Sequence, residues 1–133
     1  MSSIFTEMVQ EFPGLKNPEF CFDHSLTIAN VLYHRLTKAG HNAQIIMVEG
    51  YTGPSKAKFS THAHWRHFVV VIVGAKASQT PPGLCIDIAA RQFDHKVTIP
   101  RIDAFSVYMK DWATWTEHEA FTFDPTDLLA AAR

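Results

Sequence analysis

The run His67-Phe68-Val69-Val70-Val71-Ile72-Val73 limits the possible folds of this chain more than any other stretch. Side chains on a strand alternate between two faces, and here both alternating sets are apolar. The run therefore reads as a central strand, and the rest of the chain has to supply its neighbours. Leu84–Ala89 is the nearest one, an antiparallel partner across a turn region, Gly74–Gly83, that holds Pro81-Pro82-Gly83. Alternation puts Cys85 and Asp87 on one face of that partner, and Leu84, Ile86 and Ile88 on the other. Ala43–Val48, bounded by Asn42 and Gly50, is a further compact apolar strand. Val97-Thr98-Ile99 predicts a short edge strand stopped by Pro100.

The best helix pattern lies before these strands. Asn17-Pro18 reads as N-cap and first helical residue, with Glu19 near the positive end of the helix. The pattern predicts a helix over 18–39, ended by Gly40 in a left-handed conformation. Phe22, Leu26, Ala29, Tyr33 and Leu36 form its apolar stripe, widened by Ile28 and Leu32. Cys21 belongs to the neighbouring line with Ser25, Ile28 and Leu32, at the edge of the buried face. Residues 2–12 carry Ile4, Phe5, Met8, Val9 and Phe12 near helical spacing, and Pro13-Gly14 ends them. Asp103–Trp112 predicts a second long helix. Trp115, a turn at Asp124-Pro125 and a short helix over Thr126–Ala132 complete the tail. Tyr51–Arg66 has no sustained period and reads as a long loop.

Composition excludes several classes of function. A length of 133 residues suits one domain over 1–133, and 47% hydrophobic with 19% charged residues suits a soluble globular chain. The net charge of −1 offers no basic surplus for nucleic acid or an anionic membrane. The first residues lack the basic and apolar regions of a secretory signal, and no apolar run approaches spanning length. The expectation is cytoplasmic synthesis, with delivery to a target cell by a signal-independent route left open. Two cysteines are too few for a disulfide scaffold or a four-cysteine zinc site.

Cys21 stands at the start of the 18–39 helix, where the dipole and the first-turn N–H groups favour a thiolate. A thiol hydrolase also needs an imidazole to move the proton and an acceptor to fix the imidazole's tautomer. His67 and Asp87 suit those roles. Antiparallel pairing of 67–73 with 84–89 brings the start of the first strand to the end of the second, so His67 meets Asp87–Ile88. The 18–39 helix must then begin over the same end of the sheet.

Each residue also has a plainer explanation. Cysteine is often buried for packing alone, which applies to Cys21 and more strongly to Cys85. His67 could satisfy a backbone carbonyl, and Asp87 could close its strand. An aspartate within an apolar strand nevertheless needs a partner, because burying it unpaired is costly. His62, His64 and His67 form H-x-H-x-x-H, and imidazoles bind zinc, nickel or copper. On an extended segment His62 and His64 share a face that His67 does not, although a loop could gather all three; the expectation is a site without a metal. His64 is also the alternative general base. Trp65, Trp112 and Trp115 are either cleft walls or core.

Cys21 opening a helix, His67-Phe68-Val69-Val70-Val71, then Cys85-Ile86-Asp87-Ile88-Ala89-Ala90-Arg91-Gln92-Phe93 resemble the papain-like and transglutaminase-like superfamily. The likeness covers about residues 18–112 and is closest to a small bacterial branch of toxin and effector domains that deamidate glutamine. It implies an α+β fold, with the cysteine helix packed on a small antiparallel sheet that bears histidine and aspartate. It implies a Cys21-His67-Asp87 triad without a cofactor, acting on a Gln or Asn side chain of a protein or peptide. A peptidase, an amidase or a transglutaminase would use the same constellation. The rival from another class is a non-catalytic, histidine-rich metal-binding or interaction domain. The chain departs from the papain-like pattern in having no glutamine between Phe12 and Cys21 to serve the oxyanion. Asn17, Lys16 and Gln92 are the nearby polar side chains, and the backbone N–H of Cys21 is a further donor. His64 and Trp65 are candidates for substrate contact.

Overall fold

The computed structural model describes residues 2–50, 65–74, 83–92 and 97–121. Helices α1 (Ser2–Glu11) and α2 (Pro18–Lys38) come first, followed by strands β1 (Ala43–Gly50), β2 (Trp65–Val73) and β3 (Gly83–Asp87). Then come β4 (Arg101–Ala104), the one-turn helix α3 (Phe105–Tyr108) and β5 (Thr114–His118). The fold is mixed, helices with one antiparallel sheet.

Among the described residues the sheet has five strands in the order β4-β3-β2-β1-β5. The Val-rich run is its central strand, as its two apolar faces require. Its register sets Val70 opposite both Ile45 and Ile86, and His67 opposite Val48. At the far end of β3, Asp87 lies opposite Arg101.

α2 starts as its sequence predicts. The Asn17 side chain accepts a hydrogen bond from the Glu19 N–H at 2.9 Å, and Pro18 needs no partner for its nitrogen. Gly40, just past the helix, takes φ +94°, the left-handed conformation that suits glycine. Within the helix, His24 has φ −126° and ψ 15°, so the first turn is offset from the body.

That offset changes which residues are buried. Cys21, Ser25, Ile28, Leu32 and Leu36 form the buried line, whereas Phe22 is 55% exposed. Phe20 is buried in its place. A Cβ on Gly14 would lie 2.6 Å from the Phe20 ring, so the ring needs a glycine at that position. Cys21 is thus fully buried, not at the edge of the buried face.

Two apolar clusters cover the two faces of the sheet. One joins α1 and α2, through Met8, Phe12, Leu15, Cys21, Ile28 and Leu32, to Ile45, Val70 and Ile86. The other joins Ile46, Val48, Val69, Val71 and Cys85 to Phe105, Tyr108 and Trp112. Strand alternation sorts these residues: even positions of β2 face the long helices and odd positions face α3. Burying each large aliphatic side chain contributes about 1.5–3 kcal/mol.

Several element boundaries differ from expectation. Trp65 and Arg66 already belong to β2, where β1 continues far enough to pair with them. Residues 97–100 form no strand. The edge strand is instead β4, which takes its ladder from β3, and so 103 and 104 are strand and not helix. The helix expected over 103–112 shortens to α3 and a 3₁₀ turn, Met109–Asp111. The Trp115 region forms β5, which pairs with β1. The turn at Asp124-Pro125 and the helix over Thr126–Ala132 lie outside the described residues. So does most of the loop expected over Tyr51–Arg66.

Candidate functional site

His67 and Asp87 meet as the strand pairing requires. Nε2 of His67 lies 2.8 Å from Oδ1 of Asp87, and both side chains are fully buried. The odd parity of both residues places the pair on the α3 face of the sheet. Trp112 stacks on the His67 ring, with centroids 6.0 Å apart and planes 5° from parallel.

The carboxylate has a second partner that the sequence reading missed. Tyr108, fully buried in α3, donates its hydroxyl to Oδ2 of Asp87 at 2.6 Å. Each carboxylate oxygen thus faces one donor, which offsets the cost of burial. Two signals for this bond were available. A buried tyrosine needs a partner for its hydroxyl, and a buried aspartate needs more than one donor. Burial, then the Asp87 charge and Cys85, hold the Tyr108 hydroxyl well above the usual tyrosine range. It stays protonated and donates.

Arg101 closes the back of this arrangement. Its guanidinium lies 4.9 Å from the centroid of the Tyr108 ring. It donates to Asp103 at 2.8 Å and reaches Asp111 at 3.4 Å, tying β4 to the 3₁₀ turn after α3. Burial lowers its pKa, but Asp103, Tyr108 and Asp111 together raise it above the usual value.

Cys21 lies near the start of α2 and is fully buried. Its Sγ donates to the Leu15 carbonyl at 3.3 Å, within the cluster under α1 and α2. That cluster also holds Ile88 and Ala89, the two residues after Asp87, and α2 packs on the Ala90–Gln92 turn that follows them. The structure brings His67 and Asp87 together, and packs Cys21 with Leu15, Ile88 and Ala89.

Cys85 is the cysteine on the face of the pair. Burial, followed by the charge of Asp87, pushes its thiol well above the usual range. A thiol so held is a packing group and not a thiolate.

The remaining candidates divide similarly. The Asn17 Oδ1 caps α2, accepting from the Glu19 N–H. The Cys21 N–H donates to the Asn17 carbonyl at 3.1 Å within the helix. Gln92 ends the short turn after β3, and Trp65 opens β2. His62 and His64 lie outside the described residues. Among the described residues no group of three or more His, Cys, Asp and Glu is placed to hold a metal ion. No helix among them is long and apolar enough to cross a membrane.

Comparison with family models, with curated proteins and with solved structures found no match.

Proposed function

We propose that this chain is a cysteine hydrolase of the papain-like type, acting on a carboxamide of a protein or peptide, with glutamine deamidation as the favoured reaction. The observation that carries this reading is the buried His67–Asp87 bond, completed by Tyr108. An imidazole held by a carboxylate is the proton-handling half of such a site.

The chemistry follows from the roles. The Cys21 thiol gives its proton to His67 and attacks the carboxamide carbon. The tetrahedral intermediate collapses as His67 returns the proton to the leaving nitrogen, and ammonia departs. His67 then takes a proton from water, whose oxygen attacks the thioester. The carboxylate product leaves, and the proton returns to Cys21. An amine in place of water would make the reaction a transglutamination, and a peptide nitrogen as leaving group would make it proteolysis.

The reading requires the Cys21 thiol to come within hydrogen-bond reach of His67 Nδ1. The non-helical His24 sets the Cys21-bearing turn apart from the body of α2. A second reading, a non-catalytic interaction domain, is favoured by the full burial of both thiols. In that case the His67–Asp87–Tyr108 group is a satisfied core network.

Iodoacetamide alkylation, followed at each cysteine against pH, separates the two. The hydrolase reading expects Cys21 to alkylate rapidly near neutral pH, and His67→Gln to slow it about tenfold. If Cys21 and Cys85 both react only as the protein unfolds, the hydrolase reading fails and the second stands. Ammonia release from glutamine-bearing proteins then identifies the deamidase among the hydrolases.

A further inference from the structure

We propose that Tyr108 is a positioning residue for His67, acting through Asp87 to hold the imidazole as the Nε2–H tautomer and present Nδ1 for proton transfer. The inference starts from the two bonds on Asp87. Tyr108 donates to one carboxylate oxygen and His67 Nε2 lies 2.8 Å from the other. A carboxylate offers acceptors only, so Nε2 must carry the hydrogen. Nδ1 is then the nitrogen that takes and gives a proton.

Tyr108 supplies what the His67–Asp87 bond alone lacks. One hydrogen bond leaves a carboxylate able to turn about its Cβ–Cγ axis. A second, on the other oxygen, fixes the plane of the group. Tyr108 is itself held, by Arg101 against its ring and by Trp112 at 6.5 Å between centroids. Trp112 also stacks on His67, so the tyrosine, the carboxylate and the imidazole share one packed wall. The raised tyrosine pKa keeps the hydroxyl a donor across the neutral range.

The role in catalysis rests on the hydrolase reading, whereas the effect on the tautomer does not. Nitrogen-15 NMR of histidine-labelled protein reads the tautomer of His67 directly. The unmodified chain should show a single Nε2–H form, and Tyr108→Phe should show both forms in comparable amounts. Phe105→Leu loosens the same layer without touching the bond and should leave the single form intact. An Nδ1–H form in the unmodified chain overturns the proposal without any variant. So does a folded Tyr108→Phe protein with an unchanged tautomer, or an equal change in Phe105→Leu.

Alkylation of Cys21 by iodoacetamide at neutral pH supplies the second readout. Under the hydrolase reading it falls about tenfold in Tyr108→Phe and is unchanged in Phe105→Leu. If alkylation is indifferent to His67→Gln while the tautomer still follows Tyr108, the hydrolase reading falls and the positioning role of Tyr108 stands.

Discussion

On one face of the sheet, α1 and α2 bury Met8, Phe12, Leu15, Ile28, Leu32 and Leu36 in an apolar layer whose polar members are few. On the other, the much shorter α3 segment covers Val69 and Val71 and encloses three bonded polar groups, His67, Asp87 and Tyr108. The long-helix layer is held by area and shape, so each side chain contributes nearly alone. The α3 layer is held by pairing, so the value of each polar group depends on the others. A fold that required only stability could have used apolar residues on both faces, since replacing a buried polar set by apolar groups is often neutral or stabilising. Keeping the polar set on one face is what the proposed chemistry asks for.

The sharpest way to break this comparison is a pair of single substitutions and their double. His67→Leu removes a donor from a buried carboxylate and should cost about 3–5 kcal/mol in denaturant unfolding. Adding Asp87→Leu to it should recover a large part of that loss, because no uncompensated charge remains. Leu32→Ala on the other face should cost about 2–5 kcal/mol, and a second apolar truncation there should add to it. If the polar double variant is as costly as the sum of its singles, the two layers are not held differently.

Alkaline pH sharpens the contrast at smaller amplitude. Cys85 and Tyr108, both on the α3 face, hold their protons above the ordinary values, in each case chiefly through burial. The unfolded chain releases them near pH ~8.5 and ~10, respectively. Above those values the unfolded state binds fewer protons than the folded one, so stability falls as pH rises. The contribution is complete below pH ~8.5 and is lost upward through the raised folded values. Unfolding midpoints measured from pH 7 to 10.5 should decline. Cys85→Ala should flatten the first part of the decline, and Tyr108→Phe the part above pH ~10.

The smallest effect belongs to the surface. Arg35 meets Glu11 at 2.6 Å between α2 and α1, with both side chains about a third exposed. Glu11→Gln should change the unfolding free energy by less than about 1 kcal/mol, and still less in high salt.

Much of this arrangement is written locally in the chain. The cap at Asn17, the stop at Gly40, the central position of β2 and the meeting of His67 with Asp87 all follow from short-range chemistry and the period of two. The layer on which that meeting occurs does not. Phe68, Val70 and Ile72 are as apolar as Val69, Val71 and Val73, so β2 carries no preference for the face that α2 covers. The burial of Cys21 was obscured by the offset at His24, which turns Phe22 outward and the cysteine inward. The edge strands β4 and β5 were missed because four or five residues with mixed polarity resemble a loop until a neighbour offers its ladder. Tyr108 looked like an ordinary apolar helix residue, since its hydroxyl acquires meaning only from an aspartate more than twenty positions earlier.

Asn30 has a consequence for the order in which the chain comes together. Its buried side-chain amide donates to the Phe121 carbonyl and accepts from the Phe121 N–H, 91 positions away. A ribosome adding about 5–20 residues per second reaches residue 121 roughly 5–20 s after residue 30. For that interval α2 exists without its polar partner, and the amide must remain hydrated. The long-helix layer therefore begins to form early in synthesis but closes late.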